Sequence, residues 1–259
     1  MTGQELARHP LPEALRSRPI AHRALHDLAR GRPENSRAAI RAAMDAGFGI
    51  EIDLQLSADG HAMVFHDETL ERLTEAEGPV AGRSAAELGR IALRGGTGTI
   101  PTLAEVLAEV AGRVPLLIEF KDQTGTMGPD DFGLEAAGAA DLAGYSGAVA
   151  LMSFNPHAVM RLARLAPDRA RGLTTSAYEP AEWAPLDPAT CERLRAIPDY
   201  DAAGCSFISH EWTDLGRPRV AEIAAGGGAV LCWTIRNPEA EATARRVACN
   251  VTFEGYMPR

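Results

Sequence analysis

Short apolar runs alternate along the chain with longer stretches whose apolar positions recur every three or four residues. The first pattern suits strands buried on both faces, the second suits helices that cover them, and their alternation marks parallel βαβ units. The runs read as strands are Pro19–His22, Phe48–Leu54, Val114–Phe120, Ala148–Met152, Ala170–Leu173, Gly204–Ser209, Gly228–Trp233 and Asn250–Phe253. Between the first two, Asn35–Ala46 carries Ala39, Ile40, Ala43 and Met44 at helical spacing, with Gly47 as a C-terminal stop. Thr102–Ala111 places Leu103, Val106, Leu107 and Val110 on one stripe, and Pro156–Leu165, Arg217–Ala225 and Pro238–Val247 read similarly. Eight strands alternating with helices predict an α/β fold, a closed (β/α)8 TIM barrel more than an open sheet.

One excursion interrupts the alternation. Ala62–Phe65 follows the second strand across Ser57-Ala58-Asp59-Gly60, whose Asp-Gly is a hairpin-turn signal. The segment from about residue 57 to residue 100 therefore reads as a small insertion in the loop after the second strand. Gly95-Gly96-Thr97-Gly98 reads as a flexible connector, because a phosphate-binding P-loop would continue into Lys-Ser/Thr. No repeat or linker divides the chain, and residues 1–259 are read as one domain.

Composition narrows the setting. The chain is 46% hydrophobic and 24% charged, ordinary for a globular protein with a sizeable core. A formal charge of −9 argues against broad attachment to nucleic acid or an anionic membrane. A small anionic substrate would need locally placed cations or a metal ion. Cys191, Cys205, Cys232 and Cys249 lack the close spacing of a zinc or redox motif and read as reduced thiols. The stretch Met1–Pro19 carries Glu5, Arg8, His9, Glu13, Arg16 and Arg18 without an apolar leader segment, and no apolar run is long enough to span a bilayer. A cytoplasmic setting without stable membrane insertion is the expectation.

The candidate chemistry sits where the strands end. His22 and Arg23 close the first strand, Glu51 and Asp53 the second, Glu119 and Lys121 the third. In a parallel barrel those C-terminal ends form the active-site face. Residues two apart on a strand share a face, so Glu51 projects with Asp53, and Glu119 with Lys121. Several carboxylates at one apolar rim are costly unless a cation neutralises them. Oxygen ligands would suit a hard cation, Mg2+ or Ca2+; a structural salt-bridge cluster with Arg23 or Lys121 is the alternative. His66, next to Asp67, joins His22 as a candidate acid/base pair. Trp233, at the end of the seventh strand, would pack either against a polyol or into the core. Ser153 and Asn155 read as caps of the helix from Pro156. His9, His26, His61, His157 and His210 read as structural or exposed.

These residues fall into a known order. Ile20-Ala21-His22-Arg23, Pro33-Glu34-Asn35-Ser36, Glu51-Ile52-Asp53-Leu54, Asp59-Gly60 and His66-Asp67 resemble the signature of glycerophosphodiester phosphodiesterases. Leu70–Thr74, Ile100–Leu107 and Glu119-Phe120-Lys121 continue it, and Ser153-Phe154 and Trp233-Thr234 match weaker elements. The resemblance implies a (β/α)8 barrel that hydrolyses glycerophosphodiesters to glycerol 3-phosphate and an alcohol, with a divalent cation. It implies Glu51, Asp53 and Glu119 as metal ligands, His22 and His66 as the catalytic pair, and Arg23 and Lys121 as phosphate contacts. The chain departs from the pattern at Ala24, where glycine is usual; a left-handed backbone there would disfavour alanine. It departs again at its end, Thr252-Phe253-Glu254-Gly255-Tyr256-Met257-Pro258. Two other readings compete: a lysophospholipase D-like hydrolase on the same barrel, and a non-catalytic barrel that binds glycerol phosphate.

Overall fold

The structure, a computed structural model, describes residues 6–258. Glu5 of the charged N-terminal stretch lies outside the described residues. The strands are β1 (Ile20–Ala21), β2 (Gly49–Leu56), β3 (Ala62–Val64), β4 (Leu116–Phe120) and β5 (Val149–Ser153), then β6 (Ala170–Thr175), β7 (Phe207–Glu211), β8 (Ala229–Ile235) and β9 (Asn250–Phe253). The sheet runs β1-β9-β8-β7-β6-β5-β4-β2-β3, and β1 also pairs with β2, which closes eight parallel strands into a barrel. β3 pairs antiparallel with β2 and begins the expected insertion.

Period-two alternation assigns the two sides of the wall. Ile50, Ile52 and Leu54 of β2 and Leu116, Ile118 and Phe120 of β4 face outward into the cluster that the surrounding helices cover. Leu117, Ala150, Phe207 and Leu231 face inward and pack with Ile20. Leu11 and Leu15, on a segment containing the short helix Glu13–Ser17, complete that inner cluster. Asn250 Nδ2 ties this segment to the barrel by donating to the carbonyls of Leu15 at 2.8 Å and Arg18 at 2.6 Å. The barrel interior is thus apolar in one layer, and the polar residues lie beyond it toward the strand C-termini.

Local signals place the helices. Helix Arg37–Ala46 starts at Ser36, whose hydroxyl accepts from Ala39 N–H, and stops at Gly47 with φ 75°. Helix Leu103–Val110 opens with a Thr102/Glu105 capping box. Asn155 caps Pro156–Leu165 as expected. Ser153 instead anchors a neighbouring strand, donating to Phe120 O at 2.6 Å and accepting from Asn155 N–H. Two helices, Gly133–Asp141 and Pro188–Arg195, were not evident in the pattern. The first half of the Gly95–Gly98 run is not a loose connector: a Cβ on Gly95 would lie 2.9 Å from Leu28 Cδ2 and one on Gly96 2.6 Å from Pro33 Cδ, so both pack against the loop after β1, while Gly98 meets nothing within 4 Å. The insertion has its own small core, which includes Met63, Phe65, Leu70 and Ile100. All four cysteines are free, and among the described residues no helix is long and apolar enough to cross a membrane.

Helix Gly133–Asp141 buries an acid. Glu135 is 2% exposed, its Oε2 has no hydrogen-bond partner, and burial beside Asp130, Asp122 and Asp131 raises its pKa from 4.5 to about 7. Below pH 4.5 folded and unfolded chains both hold the proton; between 4.5 and about 7 only the folded chain does, so stability falls across that window and stays lower above it. The cost at high pH is on the order of 2–3 kcal/mol. Glu135→Gln is expected to raise Tm by several degrees at pH 8 and by much less at pH 4.5. Melts at both values check this, and an equal gain at both would contradict it.

Candidate active site

The strand ends bring seven of the eight sequence-predicted residues to one cavity of about 280 Å³: His22, Arg23, Glu51, His66, Glu119, Lys121 and Trp233. Asp53, the eighth, is 1% exposed and meets them through Lys121, whose Nζ lies 2.7 Å from Asp53 Oδ1 and 2.5 Å from Glu119 Oε1. Pairing of β2 with β4 sets Asp53 directly beside Glu119. Oxygens of Glu51, Asp53 and Glu119 all lie within 4.8 Å of one another.

The sequence builds this cluster locally. Arg23 and Ala24, immediately after β1, take φ of 51° and 65°. That left-handed pair turns Arg23 N–H onto Glu51 Oε2 at 2.8 Å. Position 24, where the resemblance led to an expectation of glycine, therefore does take positive φ, and this chain places an alanine there at a cost of about 1 kcal/mol. Asn35, at φ 56° just before the Ser36 cap, donates through Nδ2 to Asp53 Oδ2 at 2.9 Å.

Charge is unevenly shared among the acids. Burial pushes Asp53 up, but Lys121, His66, Arg23 and His22 outweigh it and hold the carboxyl well below its usual range. Lys121 is held correspondingly high by Asp53 and Glu119 against its own burial. Glu51 is raised well above the ordinary value by burial, then by Asp53 and Glu119. Its one hydrogen bond comes from a neutral backbone amide. Three buried carboxylates against Arg23 and Lys121 leave the cluster one positive charge short. A donor set of carboxylate oxygens with that deficit fits a hard divalent cation. The salt-bridge alternative accounts for Asp53 and Glu119 but not for Glu51.

Each histidine is anchored through Nδ1 to a carboxylate. His22 Nδ1 lies 2.6 Å from Glu254 Oε2, and His66 Nδ1 lies 2.6 Å from Asp67 Oδ1. With Nδ1 carrying the proton, each ring donates to its acid and keeps Nε2 for other work. Burial lowers the His22 pKa, partly opposed by Glu254. The hydrogen bond from His22, then the nearby His26 ring at 3.5 Å, hold Glu254 far below the carboxylate range. Asp67 is likewise held low: burial raises it, but His66 and Arg72 prevail. Arg72 forks between Asp67 at 2.5 and 2.7 Å and Glu34 at 2.8 and 2.9 Å, and Glu34 accepts from Arg23 at 2.8 Å.

Several of these partners carried no role in the sequence reading. Glu254 directly follows the apolar run of β9, the same signal that marked the other strand ends. Glu34 and Asn35 stood in the signature run Pro33–Ser36, without a role of their own. Arg72, in the insertion, stood in the signature run Leu70–Thr74, also without a role. His26, read as structural or exposed, sits 3.5 Å from Glu254. His210 is fully buried, between Thr175 at 2.8 Å and Asp214 at 3.2 Å. Trp233 is at the rim and not in the core: its Nε1 donates to Ser209 O at 3.0 Å and its ring lines the cavity.

A closed parallel barrel whose rim sets a buried three-carboxylate cluster between two anchored histidines defines a metal-fitting TIM-barrel class. The chain belongs to the glycerophosphoryl diester phosphodiesterase family, whose model matches residues 22–252. It is 32% identical over 148 residues to a glycerophosphodiester phosphodiesterase of Caldanaerobacter subterraneus subsp. tengcongensis, a match spanning 54% of this chain and 60% of that relative's length. Among solved structures it resembles an Oleispira antarctica phosphodiesterase in complex with the product sn-glycerol-3-phosphate, at 26% identity and a TM-score of 0.74 over 93% of this chain and 94% of that one. A Thermotoga maritima glycerophosphodiester phosphodiesterase, 18% identical with a TM-score of 0.68 over 95% of each chain, shares the fold.

Proposed function

We propose that the protein hydrolyses glycerophosphodiesters to glycerol 3-phosphate and an alcohol, with Mg2+ or Ca2+ held by Glu51, Asp53 and Glu119. One observation carries the reading: a single cavity holds an under-neutralised carboxylate cluster, two cationic side chains and two carboxylate-anchored imidazoles. When bound, such a cation supplies Lewis-acid polarisation of a phosphoryl oxygen. Arg23 and Lys121 suit the other phosphoryl oxygens, where charge grows in the transition state. One of His22 and His66 takes the proton of the attacking hydroxyl, from water or from the glycerol arm, and the other protonates the leaving alkoxide. Trp233 offers a flat wall to the glycerol carbons. The Oleispira relative, a phosphodiesterase solved with the product sn-glycerol-3-phosphate, supports a glycerol phosphate ligand here. The free, mostly buried thiols favour a reducing, cytoplasmic setting.

The test is release of glycerol 3-phosphate from glycerophosphodiesters. Turnover is expected to vanish in EDTA and return with Mg2+ or Ca2+. Turnover indifferent to chelation would remove the metal, and glycerol 3-phosphate binding without alcohol release from any diester would favour a binding protein. A second reading, lysophospholipid hydrolysis, rests on Leu28 and Met257, 62% and 59% exposed, which line a groove beside His26 suited to an acyl chain. Exclusive turnover of lysophosphatidylcholine over glycerophosphocholine would decide for it.

A further inference from the structure

A groove of about 660 Å³ leads outward from the catalytic cavity, sharing His66, Glu119, Lys121, Phe154 and Trp183 with it. We infer that this groove selects diesters whose leaving alcohol carries an ammonium group, quaternary or primary. The inference rests on the hydrolase reading above and adds the identity of the alcohol.

The two spaces differ in chemistry, and that difference orients the diester. The inner cavity ends on hydroxyls from three strands: Thr174 Oγ1, Ser209 Oγ and Thr252 Oγ1 are buried without a hydrogen-bond partner among the described residues. Their side chains belong to residues 2%, 0% and 1% exposed. Buried hydroxyls left unpaired are costly, and a polyol is the arm that can satisfy them. Arg236 also lines this inner space. The glycerol arm therefore fits inside, and the alcohol points along the groove.

The groove offers rings and acids. Phe154 is the hub of an aromatic cluster, 5.0 Å from Trp183 and 5.6 Å from Trp233, while Trp183 lies 4.7 Å from Tyr178. Trp183 is only partly buried and presents its ring to the groove. The lining carries Asp67, Glu68, Glu119, Asp122 and Glu182, and among the described residues its cationic side chains are Lys121 and, when protonated, His66. Lys121 is already committed to Asp53 and Glu119. Asp67 is paired with Arg72, Glu119 with Lys121, and Asp122 accepts from Asn155 and Thr124, so the free acids of the groove among the described residues are Glu68 and Glu182. An aromatic face beside these two carboxylates attracts an ammonium through its quadrupole and their charge. A neutral polyol alcohol gains neither contact. An anionic one is repelled, on a chain whose formal charge is already −9. An ammonium alcohol makes the diester a zwitterion, with its phosphate at Arg23 and Lys121 and its cation in the groove.

The experiment compares kcat/KM for glycerophosphocholine, glycerophosphoethanolamine, glycerophosphoglycerol and glycerophosphoinositol, at low salt and in 0.5 M NaCl. The two ammonium diesters are expected to be favoured about tenfold or more, with the margin narrowing in salt. The exposed pair Glu68→Gln and Glu182→Gln, made together, is expected to cut the choline-to-inositol ratio severalfold, mainly through KM. Trp183→Leu is expected to cut it about tenfold, and Trp183→Phe to restore most of it. Equal kcat/KM for all four diesters, or an unchanged ratio in both the acid pair and Trp183→Leu, overturns the groove assignment and leaves the hydrolase reading intact. No turnover of any diester overturns both.

Discussion

Glu51→Gln is expected to raise the melting temperature of the metal-free protein while removing its activity. Glu51 is 1% exposed, and its one hydrogen bond is the 2.8 Å contact from Arg23 N–H. Asp53 and Glu119 share the Lys121 ammonium, and Asp53 has Asn35 as well. A glutamine Oε1 keeps the Arg23 contact and relieves the repulsion from Asp53 and Glu119 that, with burial, raises the Glu51 carboxyl. A gain of about 1–2 kcal/mol is a modest share of what an unpaired buried charge costs, or roughly 2–8 °C for a chain of this size. The wild type should gain on titration with Mg2+ or Ca2+: about 2.7 kcal/mol at a hundredfold excess over Kd, or roughly 5–10 °C. In Glu51→Gln that shift should nearly vanish, and kcat should fall about 10³-fold, the scale on which lost electrostatic stabilisation acts. Scanning fluorimetry with and without cation, beside a turnover assay, reads all three. A wild-type cation shift in the variant would take Glu51 out of the metal site, and a lower metal-free Tm would refute the charge argument.

What was legible in the chain followed from contrast. All eight barrel strands stood out because a strand buried on both faces is apolar throughout, and the site stood out because Glu51, Asp53 and Glu119 break such runs. Helix Gly133–Asp141 lacked contrast: it is mostly alanine and glycine, and Gly138 is there because a Cβ would sit 2.5 Å from the Phe120 ring. Helix Pro188–Arg195 buries only Cys191 and Leu194, too few positions to form a stripe. The Arg72–Glu34 fork joins residues 38 apart, and nothing local marks either as the other's partner. Thr174, Ser209 and Thr252 are ordinary strand residues in sequence. Only closure of the barrel turns their hydroxyls toward one cavity. Glu254 could have been found, since it directly follows a strand as His22 and Lys121 do.

His22→Ala and His66→Ala should each lower kcat by about 10²–10⁴-fold, the range for removing a positioned acid or base. Neither should unfold the protein, because both rings line the cavity and neither is a member of the apolar clusters. The two roles can be separated with the leaving group. A diester with an activated leaving group, such as p-nitrophenol, needs no proton on departure, so the variant lacking the acid recovers much of its loss while the variant lacking the base does not. Burial lowers the His22 pKa below 6.5 despite the opposing hydrogen bond to Glu254. The imidazole is therefore mostly neutral at pH 7 and ready to accept a proton. His66 lines both the catalytic cavity and the groove proposed for the alcohol, so on that proposal it would stand beside the departing oxygen. The expected pattern is that His66→Ala recovers on the activated diester and His22→Ala does not. In the wild type, kcat/KM should fall on the acid side along a limb centred below pH 6.5, as His22 takes up its proton. Glu254→Gln keeps a hydrogen-bond acceptor at His22 Nδ1 but removes the charge that favours the imidazolium, so it should move that limb to still lower pH and reduce kcat. Near-normal turnover in either alanine variant would remove that histidine from the chemistry, and recovery of His22→Ala alone would reverse the two assignments.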